Sequence, residues 1–226
     1  MTTEFPHPRY ERKFVVQGLS LPEVIAIVRR HPSAFRETYP SRTVNNVYLD
    51  SKTLQAYYDH IHGIARRVKH RVRWYGPFDG EIGKPVLERK YKQGLVGGKA
   101  ADALCAFEVN GQPLRSCLEA ALEKSVLPDR LRESLRQLEP CLINRYRRHY
   151  FVSADGRFRL TVDSDLRFGK ANGSHPRLTA TASITPLTVI ELKFELQHAE
   201  QATQVTNALP FSLTRCSKYV LGMQRI

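Results

Sequence analysis

Cationic side chains recur at every second position along several extended stretches of this sequence. If residues 68–75 form a strand, successive side chains alternate faces, so Lys69, Arg71 and Arg73 share one face while Val68, Val72 and Trp74 take the other. In residues 86–92, Glu88, Lys90 and Lys92 oppose Leu87 and Tyr91. In residues 157–163, Arg159, Thr161 and Asp163 oppose Phe158, Leu160 and Val162. Glu191 and Lys193 oppose Ile190, Leu192 and Phe194, and near the start Glu11 and Lys13 oppose Phe14 and Val16. An ordinary antiparallel sheet with one solvated face also alternates, but it usually mixes Thr, Ser and Gln with both charges. Here Arg and Lys dominate, with an isolated Glu on the same face of three stretches. Gathered around one cavity, so many cations require an anion and a metal to neutralise them, which points to a triphosphate or polyphosphate.

The elements that must carry these faces follow from punctuation and periodicity. Strands are expected over residues 10–17, 44–49, 65–75, 86–92, 143–152, 157–163 and 188–194. Helices are expected over 21–30, with Ser20 as N-cap, Pro22 in the first turn and Pro32 as the stop, and around 53–60 and 199–208. A helical insert at about 112–139 holds two more, over 114–124 and 129–138, and residues 94–98 read as a loop. No repeat or Pro/Ser linker divides the 226 residues, so one domain spanning 1–226 is expected.

Composition bounds the partners. Lys+Arg 35 against Asp+Glu 22 leaves a net charge of +13, so the natural partner is anionic: nucleic acid, a membrane surface or a phosphate-rich ligand. With 42% hydrophobic and 25% charged residues, disorder, collagen and coiled coil are excluded. Cys105, Cys117, Cys141 and Cys216 are too dispersed for a zinc site or a disulfide framework and read as free thiols. The N-terminus has no signal-peptide core and no stretch is long and apolar enough to span a bilayer, so a soluble, cytoplasmic protein is expected.

Eight segments in order, RYERKFVV (9–16), VYLD (47–50), KHRVRWYG (69–76), LERKYK (87–92), YRRHYF (146–151), RLTVD (159–163), VIELKF (189–194) and SKY (217–219), resemble the VTC-type polyphosphate polymerase domain, one of the triphosphate tunnel metalloenzymes and a relative of the CYTH phosphatases. The resemblance implies an α+β fold built on an antiparallel eight-stranded β-barrel tunnel with flanking helices. It implies an enzyme that uses Mn²⁺ or Mg²⁺ to move the terminal phosphoryl group of ATP onto a growing polyphosphate chain. Matched residue by residue, it makes Arg71, Arg73, Arg148 and Arg159 phosphate clamps, joined by Lys13, Lys69, Lys90 and Lys193, with Lys218 closing one end of the tunnel. Glu191 becomes the metal ligand, the alternative for it being a salt bridge to a cation within the tunnel, with Glu11 and Glu88 as helpers that could instead hold lysines, and Tyr48 and Tyr146 orient phosphates by their hydroxyls. Arg66, Arg67, Arg145 and Arg147 are expected to face outward.

The chemistry of the residues agrees with that equipment. Phosphoryl transfer asks mainly for positioning and charge neutralisation. Arginine forks bind non-bridging oxygens bidentately, lysines act as point charges, and a hard cation needs one or two carboxylates beside phosphate oxygens and water. The chain departs from its CYTH-like relatives by carrying Arg9 where they place the first glutamate of a Glu-x-Glu-x-Lys strand. That loss favours the polymerase branch over a two-metal hydrolase. The stretch from Gly94 to Ala100 fails as a phosphate-binding loop, because Gln93 and Ala100 stand where a glycine and a hydroxyl are required. The histidines, His60 and His62 among them, show no metal-ligand spacing and read as surface residues. A triphosphatase using the same tunnel is the alternative. A nucleic-acid-binding barrel fits less well, because Trp74, Tyr91 and Phe158 lie opposite the cations and the glutamates lie among them. No nucleic acid is expected as partner, and any membrane or sensor module would be a separate polypeptide.

Overall fold

The computed structural model describes residues 9–93, 96–171, 179–180 and 187–226. In chain order it contains β1 (Arg9–Gln17), α1 (Leu21–Arg30), β2 (Arg36–Asp50), α2 (Gln55–Ile61), β3 (Arg66–Tyr75), β4 (Gly80–Ile82), β5 (Val86–Gln93), β6 (Val96–Ala103) and β7 (Phe107–Val109). Then come α3 (Leu114–Lys124), α4 (Asp129–Arg136), β8 (Glu139–Val152), β9 (Arg159–Lys170), β10 (Thr179–Ala180), β11 (Leu187–Glu195), α5 (Ala199–Asn207) and α6 (Lys218–Met223). The fold is α+β. Eight strands follow the pairing order β1-β11-β9-β8-β2-β3-β5-β6, with β10 added beside β9, and β4 pairs with β7 separately. The path has two ends, where the resemblance implied a closed ring. At one of them the outer edge of β1 is taken by a different partner: Phe14 bridges Leu213, and Thr214 N donates to Lys13 O at 2.8 Å. An occupied edge offers no free ladder to a further strand.

The chain divides into two compact units, one of Met1–Arg42, Tyr146–Leu166 and Ala182–Cys216, the other of Thr43–Arg145, Arg167–Thr181 and Ser217–Ile226. In the first, the apolar sides of β1, β9 and β11 (Phe14, Val16, Leu160, Val162, Ile190, Leu192) form one core with Val24 and Val28 of α1 and Ala202 and Val205 of α5. α1 begins where Ser20 N and Oγ both donate to Glu23 Oε2 at 2.7 and 2.6 Å, which satisfies the Ser20 amide at the helix start. Arg12 holds α5 from the side, donating to Ala202 O and Thr206 Oγ1, both at 2.8 Å.

In the second unit Val47, Leu49, Val72, Trp74 and Leu87 of β2, β3 and β5 pack with Leu114 and Leu118 of α3 and Leu131 and Leu135 of α4. The alternation read from the sequence is thus the physical division of the strands into a helix-covered face and a charged one.

Several elements differ from the sequence expectation. Residues 96–98, expected in a loop, begin β6; Gly94 and Leu95 lie outside the described residues. Its glycines and alanines have little strand propensity, and pairing along β5 overrides that preference. β2 starts at Arg36, earlier than expected, and passes through Pro40 in a solvent-exposed stretch, where a missing amide donor is tolerated. The 218–223 segment forms α6, which the sequence left unassigned. Among the described residues no helix is long and apolar enough to cross a membrane, and the four cysteines are free.

Within α6, a Cβ placed on Gly222 would stand 2.5 Å from Phe168 Cδ1 and 2.6 Å from Leu142 Cδ2. Gly→Ala in a helix normally stabilises by about 1 kcal/mol. Here Gly222→Ala is expected to destabilise by about 1–3 kcal/mol through overpacking. Urea unfolding tests the sign, and an unchanged or raised midpoint would contradict this packing.

Candidate functional site

The second unit gathers Lys69, Arg71, Arg73 and Lys90, four of the nine predicted cations, on one face of β3 and β5, with Lys99 beside them on β6. Register places Lys69 opposite Lys90 and Lys90 opposite Lys99, a cross-strand row of three ammonium side chains. One row along, Tyr48, Arg71 and Glu88 face one another across β2, β3 and β5. Glu88, 5% exposed, is the acceptor that the surrounding cations share. Arg71 donates through Nε at 2.6 Å and lies as close through Nη2, Arg73 Nη1 stands at 3.5 Å, and Lys99 Nζ closes on Oε1. Arg73 is itself buried and held by Asn46 Oδ1 at 2.9 Å, while Arg71 reaches the Tyr48 hydroxyl at 3.4 Å. Burial pushes the Glu88 carboxyl up, but Arg71, Arg73 and then Lys99 outweigh it and hold it down at about 2.

Lys69 is positioned from two sides. Its Nζ lies 2.8 Å from His60 Nδ1 and 2.9 Å from Ser217 Oγ. An ammonium has no lone pair, so His60 Nδ1 must be the acceptor and its ring proton must sit on Nε2. Lys218, next in sequence, is the half-buried first residue of α6.

The first unit carries the remaining candidates. Rows across β1, β11 and β9 read Glu11–Lys193–Arg159 and Lys13–Glu191–Thr161. Lys193 Nζ bridges two carboxylates, Glu191 Oε1 at 3.0 Å and Glu11 Oε1 at 3.7 Å. Lys13 Nζ lies 3.6 Å from Glu11 Oε2 and donates to Cys216 O at 3.3 Å. Arg159 is exposed at the start of β9 and lines a cavity of about 250 Å³ with Arg157, Lys193 and His198. Arg148 is committed elsewhere: its Nε and Nη2 grip Asp163 at 2.6 and 2.7 Å, and its guanidinium lies 5.2 Å over the Tyr146 ring. Burial disfavours its charge, yet the Asp163 carboxylate keeps the guanidinium firmly protonated.

The residues that could hold Mg²⁺ or Mn²⁺ are Glu191 and Glu11. Among the described residues no three His, Cys, Asp or Glu side chains converge as a ready-made cage. A hard cation that takes phosphate oxygens needs no cage, and two carboxylates on adjacent strands are a fitting donor set. Beside Glu191 in register, Thr161 Oγ1 is buried with no hydrogen-bond partner among the described residues, an oxygen that could face a bound ion or its water.

The structure therefore brings Tyr48, Lys69, Arg71, Arg73, Glu88 and Lys90 together in one unit and Glu11, Lys13, Tyr146, Arg148, Arg159, Glu191 and Lys193 in the other. Four participants escaped the sequence reading. Lys99 fell just past the expected 94–98 loop and in no expected strand; His60 was read as a surface residue and Ser217 was given no role; Asp163 was visible on the cationic face but not as the partner of Arg148. Arg66 and Arg147 are exposed as expected, Arg147 bonding Ser41 Oγ at 2.9 Å.

Because the folded Glu88 titrates near 2 against an ordinary 4.5, its contribution is present above about pH 4.5 and is lost as pH falls toward 2. Glu88→Gln is expected to lower stability at pH 7 by about 3 kcal/mol and to flatten the acid limb of stability between those values. An acid limb as steep as that of the parent protein would count against this role.

No curated protein matches the sequence. Solved structures that share the fold include the following three. A "putative adenylate cyclase" from Vibrio parahaemolyticus has a TM-score of 0.56 at 12% identity, over 95% of this chain and 98% of that one. A "putative adenylyl cyclase" from Hippeastrum, described as having a dominant triphosphatase activity, has a TM-score of 0.55 at 15% identity, over 95% and 96% of the two chains. A protein from Pyrococcus horikoshii has a TM-score of 0.52 at 12% identity, over 96% and 100%. The VTC domain model matches residues 8–226, nearly the whole sequence, and the chain belongs to the VTC domain family.

Proposed function

We propose that this protein is an enzyme acting on triphosphates, and specifically a metal-dependent polyphosphate polymerase that transfers the terminal phosphoryl group of ATP to a polyphosphate chain. The observation that carries the reading is the row Lys69–Lys90–Lys99. Like charges directly opposite on neighbouring strands are destabilising, so a fold that keeps three in line makes sense with an anion laid across them. A linear string of phosphates has the matching charge density. Arg71 and Arg73, their guanidiniums fixed by Glu88 and Asn46, present N–H groups in a set orientation.

In the transfer, a terminal oxygen of the acceptor chain forms a bond to the γ-phosphorus while the bond to the β-bridging oxygen breaks, and ADP leaves. The acceptor oxygen is already ionised, so the protein need supply no general base. Glu191, with Glu11, would hold a Mg²⁺ or Mn²⁺ ion, which when bound neutralises and orients phosphate oxygens. Lys13, Lys193 and Arg159 bind phosphate in the first unit, and Arg148, turned onto Asp163, stiffens β8 against β9 rather than gripping ligand with its fork. The triphosphatase reading uses the same residues with water as acceptor, and the activity described for the Hippeastrum protein favours keeping it as the second reading.

Incubation with ATP and Mn²⁺ decides between them: long acid-labile polymer, abolished by EDTA, is the expected product. Orthophosphate alone would replace the polymerase with a triphosphatase, and neither product would refute both. Arg71→Ala is expected to weaken nucleotide binding roughly tenfold or more, as for loss of a charged hydrogen bond. Glu191→Gln should leave nucleotide binding nearly intact and remove metal-dependent turnover; normal turnover at saturating ATP would take the metal away from Glu191.

A further inference from the structure

Behind Lys69 lies a buried network that neither family membership nor the reaction accounts for. It starts at Asp50, the last residue of β2, which is 2% exposed. Its Oδ1 accepts the amides of Ser51 at 2.8 Å and Ala56 at 2.9 Å, and its Oδ2 accepts the amide of Tyr57 at 3.0 Å and the hydroxyl of Tyr219 at 2.5 Å. One carboxylate thus fastens the first turn of α2 and the second residue of α6. It also stabilises a strained entry, because Leu54, just before α2, has φ 55, a left-handed conformation unfavourable for a branched side chain.

The far ends of this arrangement meet again at Lys69. His60, in the last turn of α2, and Ser217, the N-cap of α6, are the two acceptors that hold the Lys69 ammonium. Tyr219 contributes directly as well: its ring lies 5.9 Å from Lys69 Nζ and stacks on Tyr48 at 4.9 Å, and the Tyr48 hydroxyl accepts from Arg71. Burial, with Cys141 and Asp50 close by, keeps the Tyr219 phenol protonated, so it can serve as donor. The Cys141 thiol beside it, 3.5 Å from that hydroxyl, is pushed up to about 12 by burial and takes no part as a nucleophile.

We propose that Asp50, acting through Tyr219, is the positioning residue of Lys69: it sets the two helices whose side chains hold the ammonium in place before the phosphate arrives. A lysine side chain loses substantial rotamer freedom when it is immobilised, and two preset acceptors incur that cost during folding instead of during binding. The proposal rests on the reading of Lys69 as a phosphate ligand, and its test separates the two.

The full chain, Tyr219→Phe, Asp50→Asn, Lys69→Ala and the double variant Tyr219→Phe/Lys69→Ala are titrated calorimetrically with tripolyphosphate. Thermal unfolding and the NMR signal of the Lys69 ammonium are recorded on the unliganded proteins. Tyr219→Phe keeps the stacked ring and loses only the hydroxyl, so it reports positioning even if Asp50→Asn fails to fold. We expect Tyr219→Phe to weaken tripolyphosphate binding roughly five- to tenfold, the scale of one well-made hydrogen bond. The Lys69 ammonium signal should lose its protection from water exchange, and the double variant should bind no more weakly than Lys69→Ala.

An unchanged ammonium signal in Tyr219→Phe overturns the proposal. So does unchanged affinity in that variant when Lys69→Ala is impaired, or a double variant whose losses simply add. If Lys69→Ala binds as well as the parent protein, the phosphate role of Lys69 is what fails. Positioning is then judged on the ammonium signal alone, its loss in Tyr219→Phe supporting the proposal and its persistence overturning it.

Discussion

Glu88 bears the charge balance of the cationic face on β3, β5 and β6, and the usefulness of that face depends on it. A carboxylate this deeply buried would be costly alone, and guanidinium groups as close as Arg71 and Arg73 would repel one another if nothing stood between them. Each makes the other tolerable. The result is a cluster in which arginine orientation is set by the shared carboxylate, while in the neighbouring Lys69–Lys90–Lys99 row the register interleaves no carboxylate and Lys99 reaches across to Glu88. Phosphate recognition needs both kinds of group: fixed forks for orientation and point charges for attraction.

The first unit solves the same problem by alternation. On the charged face of β1 and β11 cations and carboxylates oppose each other: Glu11 opposes Lys193, and Lys13 opposes Glu191, while Arg12 on the other face opposes Leu192. Such a lattice is nearly self-neutral. Arg148 and Asp163 form the extreme case, a bidentate pair in which the carboxylate is fully buried. Breaking one half of such a pair is far more harmful than its net contribution suggests, so it serves order more than binding.

Helices set the remaining geometry. α3 and α4 cover the apolar side of β2, β3 and β5, and α1 and α5 do so for β1, β9 and β11. The short α2 and α6 act differently: neither is long enough to be stable alone, and both are anchored by side-chain contacts to Asp50.

Alternation within single strands was enough to separate the two faces of β1, β3, β5 and β11, because side-chain direction follows from strand geometry whatever the partner strand. Pairing of strands is not local, and so β6, poor in strand-forming residues, emerged from its ladder with β5 and brought Lys99 to Glu88. The identity of each ion-pair partner depended on register in the same way. Asp163 and Glu191 look alike in sequence, yet one is consumed by Arg148 and the other stands beside lysines. His60 and Ser217 are 157 positions apart in the 226-residue chain and meet at one ammonium. The sequence by itself determined which faces are charged, the basic character of the candidate site and the family. Tertiary structure alone decided which charges neutralise one another and which are held ready, because that depends on distances between residues remote along the chain.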